Sequence, residues 1–423
     1  MQEYGPTNEK RKKETIVDIM CRRCNVPKRS LMLALDVGTT KVSALVAESK
    51  ADGEVAVLGI AATPVVGMRR GLVFEIERVA LAIRDAANRA NSMAGTSLTQ
   101  AGVAINGDHL MLVPGQAKIA LKTGVIRPED LQQVMIKAAH VSLANDREVI
   151  RVIRRGISVD GFRGVVDPVG MVAHTLESDV FVVSGLNTVI RNLRHVISIA
   201  GLSVSSFVPA PEASANAVLS DDEKQVGVVH LDIGGGTTGV SVYRGGHVQH
   251  LGVVPLGGES ITADLSMGLG VVPTQAERLK LEHAAVGSER EGTLEVRAVS
   301  GQAVKLIPLK ELQEIVAARI EEWTDYVEKQ LQKIEWTKGP AAGVVMTGGG
   351  SLLKGLDSHL QVRWGWPVRI GTPHGLGGLS DLSKSPGYAT VVGVAKAMAQ
   401  NKLEPEPETL WRRILQFWVN LWG

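Results

Sequence analysis

Short apolar runs broken by turns of small residues organise the chain from residue 31 onward. Residues 31–35, the turn Gly38-Thr39-Thr40 and residues 42–46 follow the apolar–turn–apolar order of a β-hairpin. About two hundred residues later the pattern is written again, with runs at 226–231 and 240–243 around Gly234-Gly235-Gly236-Thr237-Thr238. Residues 54–62 add a third strand to the first hairpin. Ile76, Val79, Ile83, Ala86, Ala87 and Ala90 recur at helical spacing and predict a core helix to about Met93. Residues 100–183 look like a separate small α+β unit. Its strands fall at 102–105, 116–121, 148–153, 156–159 and 179–183, and its helix opens at Arg127-Pro128-Glu129-Asp130 and runs to about His140. A helix at 187–200, a strand at 204–208 and a helix at 211–219 return to the main pattern. Beyond the second hairpin the spacing predicts helices at 260–269, from 274 to 280, at 309–333, at 352–360 and at 385–399, a hairpin at 293–307 and a strand at 343–346.

Each hairpin carries an aspartate at its mouth, Asp36 and Asp232. A Gly/Thr turn exposes backbone N–H groups and short hydroxyls, and a concave row of such donors cradles phosphate. Glycine serves where a side chain would block the approaching anion. A carboxylate beside the cradle suits Mg²⁺, which keeps several waters and takes few protein ligands. One such turn alone reads equally well as a tight turn with a solvated aspartate; a matched pair facing across a cleft would grip the polyphosphate of a nucleotide. The candidates are Asp36, Gly38, Thr39 and Thr40 on one side, and Asp232, Gly234, Gly235, Gly236, Thr237 and Thr238 on the other. Lys41 fits a phosphate contact and a solvated strand lysine equally. Gly348, Gly349, Gly350 and Ser351 form a third strand–glycine–helix junction, where a ligand can lie against backbone, suited to the adenosine end. Gly257, Gly258 and Glu259 open another helix, and Glu277 and Lys280 lie three apart on one helical face.

At 423 residues the chain implies two or more domains. Hydrophobic content of 44%, few aromatics and 46 glycines indicate a soluble, turn-rich α/β protein. The net charge of +2 hides eight Lys/Arg against four Asp/Glu in residues 1–30, so the remainder is slightly acidic. That excludes the basic face of a nucleic-acid binder. Residues 1–30 read as a disordered basic extension. Their Cys21 and Cys24 lack the second ligand pair of a structural zinc site, and no disulfide framework exists, so a reducing, cytoplasmic setting is expected. No apolar run has the form of a signal peptide or reaches transmembrane length.

The ending differs in kind. Residues 401–408, with Glu404-Pro405-Glu406-Pro407-Glu408, read as an extended linker. In 409–423, Arg412, Arg413, Gln416 and Asn420 share one arc of a helical wheel. Trp411, Ile414, Leu415, Phe417, Trp418, Val419, Leu421 and Trp422 fill the rest. This is the pattern of an amphipathic helix lying in a membrane surface, with docking on the core or on a partner as the alternative. So short a helix with two arginines prefers anionic lipid, and stable attachment needs several copies at once.

On these residues the chain resembles the actin-like ATPase superfamily and, within it, the FtsA family of cell-division proteins, over about residues 31–400 and the terminal helix. Residues 35–41 look like the family's first phosphate loop, 231–238 like its second, 346–351 like its adenosine motif, and 386–394 like its connecting helix. Ala-Ile-Asn-Gly-Asp-His at 104–109, Arg-Pro-Glu-Asp-Leu at 127–131 and Asp-Pro-Val-Gly-Met at 167–171 resemble the family's insert. The resemblance implies an α/β, two-domain actin-like (ribonuclease-H-like) fold with a small α+β insert and a C-terminal amphipathic helix. The first domain would comprise 31–99 and 184–224, the SHS2-type insert 100–183 and the second domain 225–400. It implies ATP and Mg²⁺, the latter held through water by Asp36 and Asp232, and nucleoside contacts from Glu277 and Lys280. Partners would be the FtsZ C-terminal peptide, further copies of the chain in a filament, and later division proteins through the insert. Glu212 lies nearest the position that would orient an attacking water, although Pro211-Glu212-Ala213 is equally a helix first turn; Arg319 would touch the FtsZ peptide. A pilus-assembly homologue such as PilM is the alternative within the fold. A superfamily sugar kinase would need an aspartate base in the cleft, and no candidate stands out.

Overall fold

The computed structural model describes residues 30–50, 54–122, 124–287, 291–297, 304–334 and 339–401. The basic extension with Cys21 and Cys24, and the linker and amphipathic stretch beyond residue 401, lie outside the described residues.

The first lobe opens with β1 (Ser30–Val37), β2 (Lys41–Ser49) and β3 (Val55–Pro64), three antiparallel strands whose apolar sequences are buried nearly throughout. After a small ribbon of β4 (Met68–Arg69) and β5 (Leu72–Val73), helix α1 (Ile76–Ala94) lays Val79, Ile83, Ala86, Ala87 and Ala90 on the sheet. Strand β6 (Gln100–Ile105) then enters parallel to β1. The insert follows: β7 (Met111–Ala120), α2 (Pro128–Ala138), β8 (Arg147–Val159), β9 (Phe162–Arg163) and β10 (Thr175–Leu186) form a four-stranded sheet in the order β7-β10-β8-β9 with α2 against it. Helix α3 (Asn187–Ile199) and β11 (Ser203–Pro209) complete the lobe, and α4 (Ala210–Val218) and the short α5 (Asp221–Val226) lead out of it.

The second lobe repeats the plan. Strands β12 (Val228–Ile233), β13 (Thr238–Arg244) and β14 (His247–Val254) are antiparallel. Helices α6 (Gly258–Leu269) and α7 (Pro273–His283), the ribbon β15 (Thr293–Arg297)–β16 (Val304–Pro308) and the long α8 (Leu309–Leu331) pack on them. Strand β17 (Val344–Thr347) joins parallel to β12; a 3₁₀ turn, α9 (Leu356–Trp364) and β18 (Val368–Ile370) follow. The sheet orders, β14-β13-β12-β17-β18 here and β3-β2-β1-β6-β11 in the first lobe, correspond strand for strand. The register corresponds too: Asp36 lies opposite Ser43 and Asp232 opposite Gly239, each seven residues on.

The boundaries differ from expectation at three places. Strand β6 belongs to the first lobe's sheet rather than to the insert, so the insert begins after Ile105 and not at residue 100; its hydrogen-bonding edge is claimed by β1 and β11. Residues 376–401 do not stay with the second lobe. Strand β19 (Leu376–Gly378) pairs with β3, and α10 (Ala389–Asn401) packs on α4, β1 and β6. The helix predicted at 352–360 is divided, because Gly355 adopts φ +77° and separates the 3₁₀ turn from α9.

Candidate functional site

Both hairpin turns close in the same way. The Gly38 N–H donates to the Lys41 carbonyl at 3.0 Å and the Gly234 N–H to the Thr237 carbonyl at 2.9 Å. The turns meet: a Cβ on Gly235 would lie 2.6 Å from Thr40 Cγ2, and one on Gly236 would lie 2.6 Å from Thr39 Oγ1. A larger residue at either position would force the facing threonine, or the turn that carries it, to shift. Between the lobes lies a cavity of about 370 Å³, within the range of small-molecule sites, lined by residues from both hairpins.

The structure brings together most of the predicted residues. Asp36, Gly38, Thr39, Thr40, Lys41, Asp232, Gly234, Gly235, Thr237, Gly257, Gly258, Glu259, Glu277, Lys280, Gly348, Gly349 and Gly350 all line this cavity. Gly236, Thr238 and Ser351 do not. Gly236 is pressed against Thr39. The Thr238 hydroxyl donates to the Leu256 carbonyl and accepts from Trp323 Nε1, each at 2.8 Å, and the Ser351 hydroxyl donates to the Gly348 carbonyl at 2.8 Å. These three hold the turns rather than face the space between them. Helix α6 likewise serves position: its Gly258 and Glu259 N–H groups donate to the carbonyls of Gly234 and Gly235 at 3.0 and 2.8 Å. Lys280 donates to the Gly258 carbonyl, to Thr262 Oγ1 and to Glu277 Oε2.

Two further candidates lie in side-chain pairs. Glu212 lies in the first turn of α4, 5% exposed, and its Oε1 accepts from Arg151 Nε of the insert at 2.9 Å. It does not line the cavity; its contact is with the insert. Arg319 forks onto Asp264 at 2.5 and 2.9 Å and donates to Glu322 at 2.5 Å, with its side chain only 21% exposed. It faces the cavity and is committed to these two carboxylates.

Other lining residues escaped the sequence. Asn106 Nδ2 donates to Thr237 Oγ1 across the lobes at 2.9 Å, and the Thr390 hydroxyl donates to Asp232 Oδ2 at 2.8 Å. Asn106 follows β6, parallel to β1, so it stands at the carboxyl edge where α/β sheets place ligands; that topology was the signal available. Lys41 Nζ lies 4.4 Å from the centre of the Tyr388 ring, a cation–π contact.

The electrostatics fit a cationic ligand between the two aspartates. Burial, then the Asp232 charge, raises Asp36 to about 7 against a smaller pull from Lys41. Burial also raises Asp232, offset by the Thr390 and Ser214 hydroxyls. No group of three or more His, Cys, Asp or Glu able to hold a metal exists among the described residues. A Mg²⁺ ion here would therefore be held by Asp36 and Asp232 together with water and ligand oxygens. Gly349 offers room for the rest of a ligand, since a Cβ there would meet nothing within 4 Å.

A duplicated sheet with acid–glycine turns facing across one cleft defines an actin-like protein, and solved structures agree on the fold. The chain is similar to a PilM–PilN type IV pilus biogenesis complex (16% identity, TM-score 0.63, 87% of this chain and 98% of that one). It is also similar to MreB5 of Spiroplasma citri bound to ADP (14%, TM-score 0.55, 90% and 100%). Curated relatives are narrower: cell division protein FtsA of Neisseria meningitidis serogroup B (34% identical, 88% of this chain and 92% of the relative), of Pseudomonas aeruginosa (32%, 88% and 89%) and of Escherichia coli K12 (31%, 90% and 93%). The chain belongs to the FtsA family of cell-division proteins. The family model for cell division protein FtsA matches residues 229–393, and that for the SHS2 domain inserted in FtsA matches 107–184, in line with the insert's start after Ile105.

Proposed function

We propose that this cell-division protein binds ATP with Mg²⁺ in the cleft and self-polymerises. In this role it holds FtsZ filaments, through their C-terminal peptide, against the cytoplasmic face of the cell membrane at the division site, and it recruits later division proteins through the insert. The observation that carries the nucleotide part is the meeting of the two acid–glycine turns over one cavity. The turns and Lys41 would hold the phosphates, Asp36 and Asp232 the cation, and Gly348–Gly350 with Lys280 and Glu277 the nucleoside. Mg²⁺, when bound, neutralises phosphate charge; the chain's own residues hold and orient the ligand. No side chain is assigned to water activation. The membrane part is supported by the amphipathic pattern of 409–423, and no helix among the described residues is long and apolar enough to cross a membrane.

Asp232→Ala should weaken Mg-ATP binding at least tenfold, a loss of about 1.4 kcal/mol or more, in titration calorimetry; unchanged affinity would remove the cleft from the proposal. Deleting residues 409–423 should abolish sedimentation with phosphatidylglycerol vesicles while ATP binding persists, and undiminished sedimentation would remove the anchor. An FtsZ C-terminal peptide should bind in preference to a pilus-protein peptide.

A further inference from the structure

Helices α4 and α10 begin at the cleft, where Ala210 and Thr390 line it, and both run away from it. Their later turns carry Asn216 on α4 and Lys396 and Gln400 on α10, and these line a second cavity of about 400 Å³ with Lys224 and His374. Two ammonium groups converge there on one neutral residue. Lys224 Nζ donates to Asn216 Oδ1 at 3.0 Å, and Lys396 Nζ donates to the Asn216 carbonyl at 3.4 Å. One carboxylate, Asp221, lines the cavity with them, and two more lie nearby with partners of their own. Asp221 is 4.0 Å from Lys224 on a fully exposed side chain, and Glu223 is held by the Arg369 guanidinium. Glu212 is paired with Arg151.

We propose that this cavity is a binding site for a phosphate-bearing anion, held between the ammonium groups of Lys224 and Lys396. An ammonium has three donors; each lysine gives one to Asn216 and keeps others for an acceptor with several oxygens, with the exposed Asp221, 4.0 Å from Lys224, as the competing anion. Charge-assisted bonds of this kind are the strong ones. Burial, with Lys224 beside it, holds Lys396 down at about 8, and burial holds Lys224 below the ordinary lysine range. An anion between them would relieve both. The phosphate could come from solution or from a lipid headgroup. Gln400 stands nine residues before Thr409, a span of at most about 30 Å, so the amphipathic stretch would bring headgroups within reach. Only that second source rests on the membrane proposal.

Residue-resolved acylation of the full chain by an N-hydroxysuccinimide ester, read by mass spectrometry at neutral pH, tests the site. Inorganic pyrophosphate should slow modification of Lys224 and Lys396 together by roughly tenfold, the effect of a one-unit rise in pKa, and leave exposed Lys310 unchanged. The same protection in the Asp232→Ala chain separates this site from the cleft. Protection by phosphatidylglycerol vesicles but not phosphatidylcholine vesicles would assign a lipid source, and protection by pyrophosphate alone a soluble one. Lys396→Gln should abolish protection of Lys224, and Lys396→Arg should keep it. Absence of protection in both arms, equal slowing at Lys310, or protection of Lys224 surviving in Lys396→Gln would overturn the proposal.

Discussion

Asp36 carries a charge at odds with its surroundings. Its folded-state pKa of about 7 stands above the roughly 3.9 of an unfolded aspartate. Between those values the native chain keeps a proton that the unfolded chain has lost, so this group makes stability fall as pH rises from about 4 to about 7. At about 1.4 kcal/mol per unit, the cost is a few kcal/mol. Asp36→Asn, free of nucleotide and divalent cation, should therefore unfold at higher temperature than wild type at pH 8, with the gap closing toward pH 4. His230 acts oppositely: burial lowers it to about 3, so it withdraws stability as pH falls below about 6.5. The difference between variant and wild type isolates Asp36, and a difference that does not change with pH would refute its raised pKa beside Asp232. Asp36 and Asp232 were legible because the chain states them twice in one local pattern. Asn106 and Thr390 were not, because each earns its place through a partner 131 or 158 residues away, a separation no local pattern encodes.

Elements were read well where apolar spacing is strong, as in α1, α4 and the two hairpins. Periodicity finds a helix but not what it lies against. Nothing in residues 385–399 marked Gly393 as the point where α10 crosses α4, yet a Cβ there would lie 1.7 Å from the Ala213 carbonyl. Gly393→Ala should cost about 1–3 kcal/mol or more, the range of overpacked cores, in chemical denaturation. Gly349→Ala is the contrast: with open space around it, stability should hold within about 0.5 kcal/mol, while nucleotide affinity falls because the methyl enters the cavity. Equal stability losses would deny that contrast. The misread insert boundary has a related cause. Strand β6 has the same apolar signature wherever it pairs, and only its neighbours β1 and β11 assign it to a lobe.

At the scale of the molecule, the insert is fastened to the junction of the lobes by Arg151 and Glu212. Both are largely buried, with side chains 20% and 7% exposed. Breaking such a pair strands a charge, and losses of about 3–5 kcal/mol are usual. Arg151→Met should destabilise the chain by about 3 kcal/mol, and adding Glu212→Gln should recover part of the loss. A full, additive loss in the double variant would show that the two do not act as a pair. The overall plan was legible from duplication: two copies of one hairpin implied two lobes facing each other. The return of residues 376–401 to the first lobe was not, since a chain crossing back leaves no mark on its own hydrophobic period.

Helix α10 has one further consequence. Near one end the Thr390 hydroxyl touches Asp232, and at the other Asn401 hands the chain on to its tail. Thirteen helical residues make a rod about 20 Å long, pinned midway where it crosses α4. A shift of a few degrees at the catch beside Asp232 would therefore be carried along the rod to Asn401, so the contents of the cleft and the far end of this helix share one lever.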